Sequence, residues 1–106
     1  MSVRKPVIRF TLEADDDFES ISLFTWRTWG EEQAEIYEAA IARTLESLRE
    51  HPQAARSRDD LFPGCRSIQA EQHVIYFHQP RAGEIEVLRI LHHRQDASTA
   101  VQEPPS

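Results

Sequence analysis

The stretch from Glu84 to Asp96 reads Glu-Ile-Glu-Val-Leu-Arg-Ile-Leu-His-His-Arg-Gln-Asp and contains the strand pattern that decides the fold. Its middle part, from Val87 to Leu91, carries apolar residues on both faces of a strand, which predicts a position with neighbours on both sides. From His92 onward the residues change from aliphatic to imidazole and guanidinium groups. We therefore expect a buried strand that ends at an open edge of the sheet, where polar groups are available for binding.

Three further strands are predicted around this one. They are Val7 to Leu12, which begins after Pro6, then Cys65 to Ala70 and His73 to His78. Glu71-Gln72 and Pro80-Arg81-Ala82-Gly83 provide the turns between the last three strands, and Gln53 to Pro63 reads as a polar loop. One face of this sheet is expected to rest on helices, so the other face needs cover from elsewhere.

Two helices are predicted between the first strand and the rest of the sheet. Asp15, Asp16 and Asp17 provide helix-start chemistry, because carboxylates accept hydrogen bonds from free N–H groups and favour the positive end of the helix dipole. The first helix then runs to Gly30, a residue suited to a helix end. A short connection at Gly30 makes the two helices an antiparallel hairpin.

The second helix has the clearest periodicity in the chain. Its apolar residues recur at intervals of three or four along one face, at Ala34, Tyr37, Ile41, Leu45 and Leu48. The helix is expected to end near His51-Pro52, because the residue before a proline avoids helical angles. Trp26, Trp29 and Tyr37 are interpreted as core or hairpin packing.

The size and composition of the chain limit what it can be. With 106 residues, 40% hydrophobic and 28% charged, we predict a single domain over residues 1–106, with a flexible tail at 97–106. The single cysteine, Cys65, excludes an internal disulfide and is interpreted as an idle or buried thiol. The N-terminus, Met-Ser-Val-Arg-Lys-Pro, has no apolar segment behind its charges, so we expect a cytoplasmic protein without a secretory signal or membrane span.

Charge is distributed unevenly between the two halves of the chain. From Glu13 to Glu50 there are eleven acidic residues and three arginines, whereas from His51 to Asp96 six arginines balance six acids and all five histidines are present. The net charge of −6 argues against a protein that holds nucleic acid through many phosphate contacts. The sheet half is therefore the expected location of a cationic binding surface.

Several short motifs carry a resemblance that covers about Val7 to Asp96. They are Trp29-Gly30-x-x-Gln33-Ala34-x-x-Tyr37, Gly64-x-Arg66, His73-x-Ile75-Tyr76 and the Arg89 to Asp96 segment. In this order and spacing the chain resembles the ParE toxins of bacterial type II toxin–antitoxin modules, within the RelE/ParE superfamily. The resemblance implies an α+β fold, with a helical hairpin packed on a small antiparallel sheet in the order β-α-α-β-β-β.

The resemblance also implies a function. ParE-like toxins inhibit DNA gyrase by binding, without catalysis or a cofactor, and a ParD-like antitoxin silences them; the gyrase A subunit is the implied target. RelE-like relatives instead cleave mRNA on the ribosome. For that chemistry Arg66 and Arg89 could hold phosphate, and His73, His92 or His93 could exchange protons. However, no tyrosine follows Asp96 and Lys5 is the only lysine. An inactive or differently targeted binding module is the remaining alternative.

The candidate contacts follow from the cationic half of the chain. Those for the target are Arg56, Arg58, Arg66, His92, His93 and Arg94; those for the antitoxin are Arg66, Leu88, Ile90, His92 and Arg94. No residue is assigned to catalysis, and no metal site is expected, because spacing provides no third ligand beside His92 and His93.

Two of these basic groups also have structural interpretations. By strand alternation, Arg89 shares a face with Ile85, Val87 and Leu91, so it could instead pair internally with an acid such as Glu19 or Glu38. His73 and Tyr76 lie on opposite faces of their strand, so one of the two is expected in the core.

Overall fold

A computed structural model describes residues 5–105 of the chain. The first four residues of the Met1–Pro6 segment, and Ser106, lie outside the described residues. The elements are β1 (Val7–Phe10), α1 (Leu12–Trp29), α2 (Glu31–Glu50), a 3-10 turn (Pro52–Ala54), β2 (Arg56–Ser57), β3 (Arg66–Ala70), β4 (His73–His78), β5 (Glu84–His92) and α3 (Ala97–Ala100). The predicted order of strand, two helices and three strands is confirmed, with three short elements added: the 3-10 turn, β2 and α3.

The strands form one sheet in the order β1-β5-β4-β3-β2. β5 therefore has a neighbour on each side, as its apolar residues predict. β1 pairs with β5 in parallel and the other strands pair antiparallel, so the sheet is mixed and not purely antiparallel. The two-residue β2 lies within the predicted polar loop and was not expected.

The first helix begins earlier than the acidic triplet predicts. Thr11 is its N-cap, and the Thr11 hydroxyl accepts a hydrogen bond from the Ala14 amide at 3.1 Å. The same hydroxyl donates to the Leu88 carbonyl of β5 at 3.0 Å, so the cap also attaches α1 to the sheet. β1 consequently ends at Phe10, and the predicted strand up to Leu12 is too long. The aspartates of the triplet lie inside the helix, where one of them has another role.

The hairpin covers one face of the sheet. Gly30 connects α1 to α2 with φ of 97°, a left-handed conformation that glycine adopts without strain. The apolar face of α2 buries Ala34, Ile41 and Leu48, and the helix ends at Glu50, with His51 as its C-cap directly before Pro52, as predicted. Beneath the helices lies the main core, which includes Ile41, Leu48, Ile75, Phe77, Ile85, Val87 and Ile90.

A bulge in β5 changes which residues face the helices. Tyr76 of β4 pairs with Arg89, but the next residue, Phe77, pairs with Val87, so Leu88 is an extra residue in β5. Alternation is interrupted at this point. Ile85 and Val87 lie in the main core, whereas Leu88 and Leu91 lie in a second core on the other face. The prediction that Leu91 shares a face with Val87 is therefore wrong.

The second face of the sheet is closed by the chain itself. Phe62 and Cys65 from the loop before β3, and Ala97 and Val101 from the C-terminal segment, pack with Tyr76, Leu88 and Leu91. The expectation that residues 97–106 have little to bury is thus wrong for the first part of this tail. Its flexibility stays a prediction.

Candidate functional site: two grooves that meet at a histidine pair

Arg89 is held within the fold. Its Nε and Nη2 atoms donate to the Asp17 carboxylate of α1 at 2.7 and 3.0 Å, and the Ile90 amide donates to the same carboxylate at 3.0 Å. Hydrogen bonding to Asp17 raises the pKa of Arg89. The prediction of an internal acid partner is correct, but the partner is Asp17 and not Glu19 or Glu38. Because β1 stops at Phe10, this pair fastens α1 to the open edge of β5.

A groove on the face away from the helices brings together basic residues that are distant in sequence. This arginine groove has a volume of about 400 Å³, and Arg56, Arg58, Tyr76 and His93 are among its lining residues. Arg56 is exposed and makes no ion pair with any residue from 5 to 105. His93 is also exposed. The groove therefore presents a guanidinium and an imidazole above a floor that includes the buried Tyr76.

Arg58 is fixed in position within this groove. Its Nε and Nη2 atoms donate to both carboxylate oxygens of Asp60 at 3.0 and 2.9 Å, and its guanidinium lies 5.7 Å from the centroid of the Tyr76 ring. The hydrogen bonds to Asp60 raise the pKa of Arg58. Arg58 thus contributes a permanent charge with a defined orientation, which a flexible surface arginine does not have.

Three of the predicted target contacts, Arg66, His92 and Arg94, lie outside the arginine groove. Arg66 pairs in register with Phe77, which faces the helices, and its Nη1 atom donates to the Pro52 carbonyl at 3.1 Å. Arg94 is exposed in the turn after β5, where its amide donates to His92 Nδ1 at 3.2 Å. The structure therefore separates Arg66 from Arg56 and Arg58, and it leaves Arg94 beside the histidine pair.

Four aromatic rings form a row from α2 to the end of β5. The Tyr37 hydroxyl is hydrogen-bonded to His73 Nδ1 at 2.5 Å, and the His73 ring contacts the His92 ring edge-on at 5.5 Å between centroids. His92 and His93 are 4.5 Å apart with their planes tilted by 30°. His73 and Tyr76 do lie on opposite faces, as predicted, and Tyr76 is the buried one. We use the name ring row for the four residues Tyr37, His73, His92 and His93.

The ring row ends between two surfaces. His93 lines the arginine groove, whereas His73 and His92 line a second groove of about 270 Å³ on the hairpin side. This aromatic groove also includes Phe24, Trp29, Ile36 and Tyr37. Although His92 and His93 are adjacent in sequence and in contact, each is presented to a different groove.

The aromatic groove was missed because its residues were interpreted as hairpin packing. Trp29 is 70% exposed, Phe24 is 66% exposed and Trp26 is 52% exposed, so packing within the chain does not account for them. The sequence did contain a signal for this groove. Large apolar residues of α1 lie on more than one face of the helix, whereas a helix that packs on a single core has only one apolar face. Of the three aromatic residues assigned to packing, only Tyr37 is half-buried.

Two of the predicted antitoxin contacts are not open to a partner. Ile90 is 2% exposed and lies in the main core under the helices, and Leu88 is 6% exposed and lies in the second core. The reason is that the chain covers both faces of β5 itself. A partner would reach Leu88 only after displacing the C-terminal segment.

The Cys65 thiol is not activated as a nucleophile. Cys65 is buried, and burial raises the pKa of its thiol to about 11, which disfavours a thiolate at neutral pH. Among residues 5–105, no group of three or more histidine, cysteine or acidic side chains is placed to hold a metal ion. Within the same residues, no helix is long and apolar enough to cross a membrane.

Comparison with known proteins identifies the family. A family model described as "ParE toxin of type II toxin-antitoxin system, parDE" matches residues 8–97, which include α1, α2 and all of the sheet except Val7 at the start of β1. The chain belongs to the ParE toxin family.

Curated ParE toxins resemble the chain along most of its length. A toxin named ParE from Escherichia coli is 36% identical over 90 residues, which cover 84% of this chain and 86% of that toxin. Toxin ParE1 of Caulobacter vibrioides is 30% identical over 90 residues, with 84% and 91% covered. Toxin ParE1 of Mycobacterium tuberculosis is 32% identical over 72 residues, with 68% and 74% covered.

A solved structure supports the fold of this ParE-family toxin. A chain of the chromosomal ParDE toxin–antitoxin system from P. aeruginosa superposes with a TM-score of 0.69 at 22% identity, over 83% of this chain and 96% of that one. The two chains therefore share the α+β arrangement of a helical hairpin on a sheet.

Proposed function

We propose that this ParE-family toxin acts in the cytoplasm by binding DNA gyrase, with the A subunit as the contact, and that a ParD-like antitoxin neutralises it. The observation that carries this proposal is the arginine groove. There, the Arg56 guanidinium, which has no ion-pair partner among residues 5–105, provides positive charge beside the Asp60-paired Arg58 and the exposed His93 imidazole, in a chain whose net charge is −6. Such a local patch suits an acidic protein surface, because charge complementarity steers association and fixes orientation.

The same geometry argues against catalysis by this chain. Cleavage of RNA needs an acid, a base and a group that stabilises the phosphorane, all within reach of one phosphate. Here His73 and His92 face the aromatic groove, His93 faces the arginine groove, and Tyr76 is buried beneath Arg58. These side chains do not converge on one substrate position, which supports a toxin that works by binding.

The aromatic groove is the surface that we assign to the antitoxin. Phe24, Trp29 and Ile36 expose large apolar side chains around it, and aromatic anchors of this kind commonly carry the binding energy of an interface. His92 and Arg94 adjoin the groove and stay antitoxin candidates. Arg66 remains a candidate on the hairpin side of the sheet, whereas Leu88 and Ile90 would require the fold to open.

A supercoiling assay tests the target. The purified toxin is expected to block gyrase supercoiling while ribosome-bound mRNA stays intact, and the double variant Arg56→Ala/His93→Ala should lose most of this inhibition. Arg81→Ala is the matched control, because Arg81 is an exposed arginine in the turn between β4 and β5 whose Nε lies 3.3 Å from Glu84. Cleavage of ribosome-bound transcripts with normal supercoiling would replace gyrase inhibition with the RelE-like alternative.

A further inference from the structure

The floor of the arginine groove is shared with the second core. Val74 and Tyr76 of β4 line the groove, and the same two residues pack in the second core. Tyr76 is only 5% exposed, so most of its surface contacts the interior of the protein. The packing of the second core therefore determines the position of the surface on which Arg58 lies.

Arg58 is attached to the second core through its backbone and through its side chain. Its amide donates to the Cys65 carbonyl at 2.7 Å, and its guanidinium lies 5.7 Å from the centroid of the Tyr76 ring. Cys65 and Tyr76 both belong to the second core. The ion pair with Asp60 is no substitute for this attachment, because the Asp60 side chain is 63% exposed and lies in the same loop as Arg58.

The C-terminal segment completes the second core from outside the groove. Ala97 is 6% exposed and Val101 is 2% exposed, and both pack in this core although they follow the last strand of the sheet. The Arg89 Nη1 atom donates to the Ala100 carbonyl at 3.3 Å, which ties the segment to β5. Because protein cores are close-packed, the loss of a side chain from this segment allows its neighbours in the core to move.

We propose that Val101 is a positioning residue for the arginine groove: it holds the second core closed against Tyr76, and Tyr76 in turn holds the Arg58 guanidinium in its orientation. The effect on target binding rests on the proposed function, whereas the effect on Arg58 does not. With the second core loosened, the Tyr76 ring is free to shift beneath Arg58. The groove then keeps its charge but loses the fixed direction in which Arg58 presents it.

Nitrogen NMR of the Arg58 side chain tests the positioning without any target. Val101→Ala and Val87→Ala are a matched pair, because both valines are at most 2% exposed but Val87 lies in the main core. We expect Val101→Ala to shift or broaden the Arg58 Nε–H signal, Val87→Ala to preserve it, and the conservative variant Val101→Ile to preserve it as well. An unchanged signal in Val101→Ala, or equal changes in Val101→Ala and Val87→Ala, would overturn the proposal.

Gyrase supercoiling measures the consequence for the target, at a temperature where circular dichroism shows each variant folded. Val101→Ala should need at least about tenfold more toxin than the wild type for half-inhibition, because a charged contact that loses its orientation weakens the complex. Val87→Ala should inhibit like the wild type. If the wild type itself does not inhibit, the proposed target is wrong, and the Arg58 signal still decides the positioning. Equal inhibition by Val101→Ala and Val87→Ala would overturn the functional part of the proposal.

Hydrogen exchange in the wild type gives a second test that does not need a variant that folds. The Val101 amide donates to the Ala97 carbonyl at 2.9 Å, and the Arg58 amide donates to the Cys65 carbonyl at 2.7 Å. In low urea we expect these two amides to exchange through one shared opening, whereas the Ile75 amide of the main core should exchange only by global unfolding. An Arg58 amide that stays protected while the Val101 amide exchanges freely would overturn the proposal.

Discussion

The Asp17–Arg89 ion pair should contribute more to stability than an ordinary surface ion pair, although it is partly exposed to solvent. The substitution Asp17→Ala removes three hydrogen bonds at once, two from the Arg89 guanidinium and one from the Ile90 amide. The guanidinium would keep its 3.3 Å contact with the Ala100 carbonyl but would lose its counter-charge. The Ile90 amide would lose its partner at the edge of β5.

The magnitude follows from the burial of the pair. Breaking a fully buried ion pair costs about 3–5 kcal/mol, whereas an exposed pair contributes about 0–1 kcal/mol. The side chains of Arg89 and Asp17 are 28% and 16% exposed, so the pair lies between these limits but nearer to the buried one. Together with the orphaned Ile90 amide, we expect Asp17→Ala to lower the free energy of unfolding by about 2–3 kcal/mol.

Urea denaturation followed by circular dichroism measures this change. With a slope of about 1.5 kcal/mol per molar urea, the midpoint should fall by about 1.3–2 M. Asp16→Ala is the control, because Asp16 is an exposed carboxylate on the same helix and should change stability by no more than about 0.5 kcal/mol. Equal midpoints for Asp17→Ala and Asp16→Ala would show that the pair does not hold α1 to the sheet.

Three further predictions concern the core, the thiol and the antitoxin surface. Leu91→Ala in the second core should cost about 2–5 kcal/mol in thermal or urea unfolding, whereas Leu12→Ala, at a position that is 80% exposed, should cost little; similar losses would contradict the described burial. Cys65 should react with iodoacetamide at pH 8 far more slowly in the folded chain than in urea, because burial raises its pKa to about 11; equal rates would contradict this. Trp29→Ala should weaken antitoxin binding at least tenfold in calorimetry with little loss of stability, while Arg27→Ala on the same helix should not; unchanged affinity would place the antitoxin elsewhere.

Local sequence patterns predicted the elements that depend on local physics. The strands His73–His78 and Glu84–His92 and the end of α2 before Pro52 agree with the structure, because alternation, helical periodicity and proline geometry act within a few residues. The start of α1 was misplaced because Thr11 and the aspartates both have cap chemistry. Only the contact of Thr11 with Leu88, distant in sequence, selects the cap.

The candidate site was harder to predict because a single inserted residue reorganises it. The bulge at Leu88 reverses the facing of the residues after it and moves Leu91 to the second face. Nothing in the residue types of β5 shows where a bulge occurs, since apolar residues on both faces suit either register. The groove that brings together Arg56, Arg58 and His93 forms only once that register is set.

The misassigned tryptophans show why the hairpin is the surface that we propose for the antitoxin. The periodicity of α1 indicated a face that packs on the rest of the chain, and that buried face holds Ala14 and Thr25. The large aromatic residues of the helix lie outside it. Phe24 and Trp29, which line the aromatic groove, remain mainly exposed, and exposed aromatic side chains around a groove favour association. Trp26 is also exposed, but it lines a separate groove of the hairpin. Because the C-terminal segment closes the other face of the sheet, the hairpin is where apolar surface is left uncovered. A partner that packs there would leave the arginine groove open. If that groove binds the target, as we propose, we expect the antitoxin to extend past His92 to His93.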